Sequence, residues 1–314
     1  MREISIDIET YSSVDLIKSG VYAYVSAPDF QIILLAYAFD DEPVEIVDLT
    51  CKELPDKIRQ ALVDDNILKT AFNANFERTC MQKYFNMRLP VEQWQCSAVA
   101  ASELGLPNTL AGVASALGLT EQKDTRGKAL INYFSKPCKS TAVNGGRTRN
   151  LPEHDREKWE TFKSYCVQDV VVEREIKRRI ARFPLNPSEQ RLWEYDQRIN
   201  DRGVRIDPVI VKNAIRFDDL YGDKCKARAF DITGLSNVNS LIQIKEWIKE
   251  QTGLDIKSLT KGTMDEVMST IDNEDVREVL QLRSEMSKTS TAKYRAMQQS
   301  VCPDGRIRGM LQFY

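Results

Sequence analysis

The sequence predicts an α/β protein in which a mixed sheet, flanked by helices, precedes a mostly helical second domain. The first ten residues alternate between apolar and polar side chains, as in a strand. Two more strand-like runs follow, and then a helix, a strand and a helix. Most of the chain after Leu106 has helical spacing. The length of 314 residues suggests about two domains.

Ile4, Ile6 and Ile8 alternate with polar residues, which predicts a first strand with one buried face. Two antiparallel strands joined by an acidic turn should follow, and then a helix, a fourth strand and another helix. These elements are predicted at residues 31–40, 43–49, 56–64, 67–73 and 75–85.

The remainder of the first domain is predicted to be helical over 106–183. Pro107 and Asn108 begin one helix, and residues 151–153 begin a long one whose apolar positions follow helical spacing. Pro184 and Pro187 then interrupt the pattern. We therefore expect three parts, at residues 1–186, 187–300 and 301–314.

The second part is predicted to be almost entirely helical. Asn239 is the expected N-cap of one helix, and Thr263 that of another. The predicted helices are at about 188–201, 208–230, 239–251, a short one after 263, and 275–298. The final residues, 305–314, have the pattern of a strand.

Composition excludes several classes of function. The formal charge of −2 excludes a globally basic nucleic-acid binder, and the seven cysteines form no C-x-x-C pair. A single histidine, His154, excludes histidine-rich metal sites and Ser-His-Asp triads, so hydrolytic chemistry must use carboxylates. No run reaches the roughly 18 apolar residues of a membrane span, and the N-terminus lacks a signal-peptide pattern. We therefore expect a cytoplasmic protein without a membrane partner.

In two pairs of residues, the spacing places potentially catalytic side chains on the same face of a strand or helix. Asp7 and Glu9 are two apart on a strand, so both carboxylates project from one face. Tyr165 and Asp169 are four apart on the long helix and share a face of it. Taken singly, D-x-E is most often only a polar strand face, and the pair on the helix is compatible with an ordinary helix surface.

A third segment, Asn73-Ala74-Asn75-Phe76-Glu77, lies at a strand-to-helix junction. Alone it is also compatible with a helix N-cap followed by a first-turn acid. In chain order, however, the three segments read D-x-E, N-x-x-F-[D/E] and Y-x-x-x-D. This set resembles the 3′–5′ exonucleases of the DEDD superfamily, tyrosine subtype. The histidine subtype would need a histidine at position 164, which is Ser164.

The resemblance implies an RNase H-like fold and two divalent cations, Mg²⁺ with Mn²⁺ as a substitute. It implies that Asp7 bridges both cations, that Glu9 and Asp169 hold the one nearer the nucleophile, and that Tyr165 orients the attacking water. Glu77 stands where the motif usually has Asp, so it either holds the second cation or weakens that site. The positions expected to contact the single-stranded 3′ end are Thr10, Asn73 and Phe76.

The second part resembles the family A DNA polymerases, the DNA polymerase I type, and is closest to phage members. Glu189 to Asp207 resembles the connector between exonuclease and polymerase, segments within residues 237–294 resemble the thumb, and GRIRGMLQFY resembles the first palm strand. Basic residues in this part suit phosphate contacts, although a solvated helix face is an equally simple reading. The expected contacts are Arg283, Lys288, Lys293 and Arg295.

These resemblances predict the proofreading 3′–5′ exonuclease part of a family A DNA polymerase, a monomer acting on single-stranded or primer-template DNA in a bacterial or phage-infected cell. The palm motifs that carry polymerase chemistry are absent from these residues, so we expect the polymerase to be roughly twice as long. Two alternatives stay open. One is a catalytically weakened, DNA-holding exonuclease-like domain, and the other is an RNA-trimming exonuclease of the same superfamily.

Overall fold

The computed structural model describes residues 2–120 and 127–313. Its contacts divide them into two compact units. The first comprises the described residues up to Arg205 together with those from Gln299 onward, and the second is Ile206–Gln298. Neither range contains a helix that is both long and apolar enough to cross a bilayer.

A five-stranded mixed sheet forms the centre of the first unit, with strand order β3-β2-β1-β4-β5. β1 pairs with β2 antiparallel and with β4 parallel, and β4 and β5 are also parallel. The predicted mixed sheet is confirmed, and β5, with three residues too short for a periodic signal, was not predicted. The strands are β1 (Arg2–Tyr11), β2 (Gln31–Phe39), β3 (Glu45–Asp48), β4 (Ile67–Ala71) and β5 (Trp94–Cys96).

β1 is buried on both faces, whereas the sequence predicted one buried face. Ile4, Ile6 and Ile8 join one apolar cluster, and on the other face Ser5 and Glu9 are also buried. The reason is position, because β1 is the central strand and helices cover both sides of the sheet. A register shift between Glu9 and Thr10 marks a bulge at the carboxyl end of the strand. Bulges of this kind often redirect side chains beside active sites.

Helices pack on both faces of this sheet. Residues of α2, α3 and α8 share the apolar cluster of Ile4, while residues of α6 and α7 cover the opposite face. The helices are α1 (Leu16–Tyr24), α2 (Asp56–Val63), α3 (Ala74–Tyr84), α4 (Ser97–Glu103), α5 (Leu110–Ala116), α6 (Gly127–Phe134), α7 (Arg156–Ile180) and α8 (Pro187–Arg202). Of the region predicted helical over 106–183, residues 121–126 lie outside the described ranges, and residues 135–151 form turns and loop rather than helix.

The long helix α7 confirms the predicted helical spacing. Asp155 caps it by accepting a hydrogen bond from the backbone N–H of Lys158, and its buried side carries Trp159, Phe162 and Cys166. Basic residues in the last turn complement the helix dipole. This helix therefore lies along the sheet with one face fixed in the core.

The second unit is built from helices around its own apolar cluster, to which α10, α11 and α12 contribute. Ser240 caps α10 through its side chain, where the sequence predicted Asn239. These helices are α9 (Pro208–Thr233), α10 (Leu241–Thr252), α11 (Lys261–Thr270), α12 (Glu274–Met286) and α13 (Ala292–Ser300), the last of which continues past the unit boundary.

The N-cap of α11 is Thr260 rather than the predicted Thr263. Two further predicted elements differ from the structure. The helix predicted over 275–298 is interrupted at 287–291, a Ser-Lys-Thr-Ser-Thr run. Hydroxyl side chains compete with helical hydrogen bonds, and Ser287 Oγ donates to the Ser284 carbonyl. The strand predicted over 305–314 is reduced to the two residues of β7 (Arg306–Ile307), which pairs with β6 (Val204–Arg205). Tyr314 lies outside the described residues.

The expected domain boundaries and the contact boundaries differ by one helix and two short strands. α8 and β6, expected in the second part, and β7, expected in the third, belong to the first compact unit. Trp193 of α8 lies in the same apolar cluster as the sheet. The functional division at 186 and 300 stays a prediction.

Candidate active site

The residues predicted to be catalytic line one cavity of about 560 Å³ in the first unit. Asp7 and Glu9 come from β1, Glu77 from the first turn of α3, and Tyr165 and Asp169 from α7. Three segments that are distant in sequence therefore bring four carboxylates and a phenol to one place. The bulge after Glu9 lies at the edge of this cavity.

Burial makes this cluster electrostatically unfavourable without a cation. Asp7 is half-buried, whereas Glu9, Glu77 and Asp169 are buried. Burial raises the pKa of Glu77 well above its usual range, and the negative charge of Asp7 raises it further. Like-charged carboxylates in one site ionise together only when a positive charge compensates them.

Glu77 also provides the best test of whether a metal fits here. Its side chain is 3% exposed, and its Oε2 atom has no hydrogen-bond partner among the described residues. A buried oxygen without a donor is costly unless something else compensates it. The donor set consists of carboxylate oxygens, which suit Mg²⁺. The residues therefore fit a hard divalent cation.

The side chains do not form a ready-made metal cage. In residues 2–120 and 127–313, no three Asp, Glu, His or Cys side chains are grouped so that they could hold a metal ion. Mg²⁺ commonly takes only one or two protein carboxylates directly and keeps several waters. Direct ligation by three or four of these residues would require side-chain rotations.

Tyr165 is held as a protonated phenol. Burial is the largest cause that raises its pKa, followed by the negative charge of Asp169, to which it is also hydrogen-bonded. Its ring stacks on that of Phe162 at 6.1 Å between centroids and 15° between planes. The hydroxyl is therefore a fixed hydrogen-bonding group beside the carboxylates.

The predicted contacts with the 3′ end divide between two cavities. Thr10 and Phe76 line the same cavity as the carboxylates, and Thr10 Oγ1 lies 2.8 Å from the hydroxyl of Tyr24. Asn73 instead lines a separate cavity of about 630 Å³ with Trp193. Its backbone is left-handed, with φ of 73°, and its side chain makes no capping hydrogen bond. Asn73 does not line the carboxylate cavity, and its contact with the 3′ end stays a prediction.

All four predicted phosphate contacts in the second unit have partners within the protein. Arg283 donates to the Val238 carbonyl at 2.7 Å, and Lys288 donates to Glu285 at 2.6 Å. Lys293 lies 5.4 Å from the ring centroid of the neighbouring tyrosine. None of these contacts is incompatible with phosphate binding, which stays a prediction.

Among the predicted phosphate contacts, Arg295 is bound by two carboxylates of the protein itself. Its guanidinium donates to Asp219 at 2.5 Å and to Asp218 at 3.3 Å. A phosphate would have to compete with two carboxylates for this side chain. The interpretation as a solvated helix face therefore gains support at Arg295.

Several further residues at the site were not predicted from the sequence, and three of them make contacts or carry a charge that matters here. Cys166 donates to Asp7 but was identified only as an apolar helix position, and Lys136 lines the cavity from the loop after α6. Gly127, the first residue of α6, lies against the ring of Tyr165. Helical spacing placed Cys166 beside Tyr165 in the core, while the other two had no local signal.

The sheet order, the flanking helices and the carboxylate cavity together define an RNase H-like fold, as the sequence predicted. No family model matches the chain. It is 57% identical over 315 aligned residues to a DNA polymerase of Bacillus phage SP02, an alignment that covers 100% of this chain and 48% of that protein. The chain thus spans about half the length of this relative.

Two solved structures match the chain. The POL domain of Pol1 from M. smegmatis, in complex with DNA primer-template and dNTP, matches with a TM-score of 0.54 at 12% identity and covers 98% of this chain and 48% of that one. Brucella melitensis NrnC with bound Mg²⁺ matches with a TM-score of 0.38 at 13% identity, covering 62% and 81%. The chain belongs to the family A DNA polymerases and is related to a phage member.

Proposed function

We propose that this chain is the metal-dependent 3′–5′ exonuclease part of a family A DNA polymerase and removes nucleotides from the 3′ end of single-stranded DNA during proofreading. The observation that carries this proposal is the meeting of Asp7, Glu9, Glu77, Asp169 and Tyr165 in one cavity. Glu77 Oε2 supports it, because this oxygen has no hydrogen-bond partner among the described residues and is suited to a cation.

In this proposal the four carboxylates hold two divalent cations. Such cations supply Lewis-acid stabilisation of the phosphodiester and a more acidic water. Tyr165 remains protonated because burial and Asp169 raise its pKa, and its hydroxyl orients the attacking water. The apolar side chains of Phe76 and Ile131, which line the same cavity, provide a surface for the terminal base.

The second unit is proposed to hold the duplex or primer strand through its basic residues. Arg283, Lys288 and Lys293 have partners that a phosphate can supplement, whereas Arg295 must first exchange its aspartates. Such contacts give affinity without sequence preference. We propose that the protein acts as a monomer in the cytoplasm of the bacterial or phage-infected cell.

A second candidate function is a DNA-holding domain with weakened chemistry. The observation that favours it is the lack of a ready-made three-ligand metal cage within the described ranges. Glu77 also favours this candidate. Its side chain is longer than that of the aspartate usual at this position, which changes where its carboxylate can bind a cation. This candidate predicts DNA binding with little or no digestion.

The experiment is digestion of 5′-labelled single-stranded DNA by the full chain with Mg²⁺, Mn²⁺ or EDTA, beside RNA of matched sequence. We expect stepwise 3′ shortening of DNA that requires metal. Asp7→Ala with Glu9→Ala should abolish it, while Asp41→Ala with Glu42→Ala, two carboxylates in the exposed turn after β2, should not. Binding without digestion supports the DNA-holding candidate, and faster digestion of RNA supports an RNA-trimming enzyme.

A further inference from the structure

Gly127 is in direct contact with the ring of Tyr165. A Cβ atom built on Gly127 would lie 2.1 Å from Cε2 of that ring, 2.5 Å from Cζ and 2.8 Å from Cδ2. Real Cβ atoms essentially never lie within 3.0 Å of such a neighbouring atom, so one of the two residues would have to move. The main chain at Gly127 thus packs directly against the ring of Tyr165.

The backbone of Gly127 does not itself require glycine. Its φ lies outside the left-handed region, and it begins α6, where alanine would be the better helix former. The contact with Tyr165 is the feature of this position that excludes a side chain.

Neither partner in this contact can withdraw easily. Tyr165 is buried and stacks on Phe162, and both belong to the apolar cluster that also contains Leu130 and Phe134 of α6. Helix α6 is therefore fixed in the same core as the ring it touches. Close-packed cores of this kind transmit a steric change because they have few voids to absorb it.

We propose that Gly127 is a positioning residue, whose missing side chain sets where the Tyr165 hydroxyl lies relative to Asp169. The inference rests on the proposed exonuclease function, because Tyr165 matters there as the group that orients the water. A Cβ at position 127 displaces the ring carbons nearest the hydroxyl. Displacements of about 1 Å in a positioned reacting group can reduce rates by roughly 100-fold.

The test compares Gly127→Ala with Gly112→Ala in the full chain. Gly112 is a matched control, since its added Cβ would lie 2.7 Å from Thr109 Oγ1 and 2.8 Å from Pro107 Cβ, and neither residue lines the carboxylate cavity. We expect Gly127→Ala to lower kcat on single-stranded DNA by roughly 10- to 100-fold with little change in KM. Gly112→Ala should lower the melting temperature and leave kcat unchanged.

A double-mutant cycle separates positioning from simple destabilisation. In the Tyr165→Phe background the hydroxyl is already gone, so Gly127→Ala should change kcat by less than about threefold. The proposal is overturned if Gly127→Ala keeps wild-type kcat, or if it lowers kcat equally in both backgrounds.

A second cycle tests the contact without relying on activity. Tyr165→Leu removes the ring, so Gly127→Ala should lower the melting temperature in the wild-type background and not in the Tyr165→Leu background. An equal loss in both backgrounds would show that the contact is not what excludes a side chain. If the wild-type chain shows no metal-dependent digestion, the proposed function fails, and the melting cycle still decides the contact.

Discussion

The thiol of Cys166 donates a hydrogen bond to Oδ2 of Asp7, with 3.5 Å between sulfur and oxygen. Burial raises the pKa of this thiol well above its usual range, and the charges of Asp7 and Glu9 raise it further. The thiol therefore stays protonated and remains a donor across the working pH range. Asp7, the carboxylate expected to bridge two cations, is thus held in place by a buried side chain of α7.

We expect Cys166→Ala to lower exonuclease kcat by roughly 3- to 10-fold, because a weak hydrogen bond to a charged group contributes about 1 kcal/mol. Cys166→Ser should retain more activity, since a hydroxyl still donates to Asp7. The measurement is kcat and the Mg²⁺ concentration for half-maximal rate in both variants. Equal rates for Cys166→Ala and wild type would remove this thiol from the list of functional contacts.

Lys69 should make stability depend on pH in the alkaline range. Its side chain is fully buried, donates to the Asp64 carbonyl at 2.7 Å and to Gln93 at 3.0 Å, and burial lowers its pKa to about 8. Between this value and the ordinary lysine pKa, the unfolded chain binds the extra proton. Stability therefore rises with pH in that window, by about 2 kcal/mol up to pH 9.5.

The measurement is urea unfolding at pH 7.5 and pH 9.5, compared with Lys69→Met. The variant changes absolute stability by removing two hydrogen bonds, but the pH-dependent gain should disappear from it. Lys18→Met, a change at an exposed lysine of α1, should keep the gain. An identical pH dependence in Lys69→Met and wild type would refute the prediction.

The fold was largely predictable because its signals are periodic and local. Alternation revealed β1, and helical spacing revealed α7 and most other long helices. β5 carries too few residues for a period to emerge. The sequence analysis made no prediction for α1, whose helical pattern is interrupted at Gly20, where φ is 74°. The burial of both faces of β1 depends on its central place in the sheet, which no local pattern encodes.

The candidate site was predictable where a motif fixes which face of an element its residues share. Asp7 and Glu9, and Tyr165 and Asp169, do line one cavity. Asn73 lines another cavity, because its left-handed backbone at the start of α3 directs it differently from Glu77. Contacts between distant segments, such as that of Gly127 with Tyr165, have no sequence signal at all.

Lys136 is expected to assist substrate binding rather than chemistry. Among the described residues that line the carboxylate cavity, it contributes the positive charge, and it is exposed on the loop after α6. DNA is a polyanion, so a cation at the mouth of an acidic cavity favours its entry. Lys136→Met should raise KM for single-stranded DNA several-fold with kcat nearly unchanged.

The steady-state measurement is best repeated over a range of salt concentrations. Loss of one phosphate contact should reduce the slope of log affinity against log salt by about 1. Lys139→Met, an exposed change a few residues further along the same loop, serves as the control. A fall in kcat at unchanged KM would instead place Lys136 in the chemical step.

Variants of Glu77 test whether the site functions with a glutamate where the motif usually has an aspartate. If it is a metal ligand, Glu77→Gln should lower the exonuclease rate by orders of magnitude, because it removes the charge that offsets a divalent cation. Glu77→Asp should retain substantial activity, since Mg²⁺ commonly keeps waters that can fill the lost length. Rates and melting temperatures are measured for both variants, with Glu53→Gln as an exposed control.

Stability distinguishes the metal-ligand role of Glu77 from that of a first-turn helix acid. Burial and the charge of Asp7 raise the pKa of Glu77, so without metal Gln resembles the protonated form it replaces. The metal-free melting temperature of Glu77→Gln should therefore equal or exceed that of wild type. The rise in melting temperature on adding Mg²⁺ should be smaller, because ligand binding stabilises by mass action.

If Glu77 is instead a first-turn acid acting through the helix dipole, Glu77→Gln should cost a few tenths to about 1 kcal/mol of stability and leave the rate intact. A Gln variant with wild-type rate and an undiminished Mg²⁺ response would remove Glu77 from the metal site and leave a nuclease with three carboxylates.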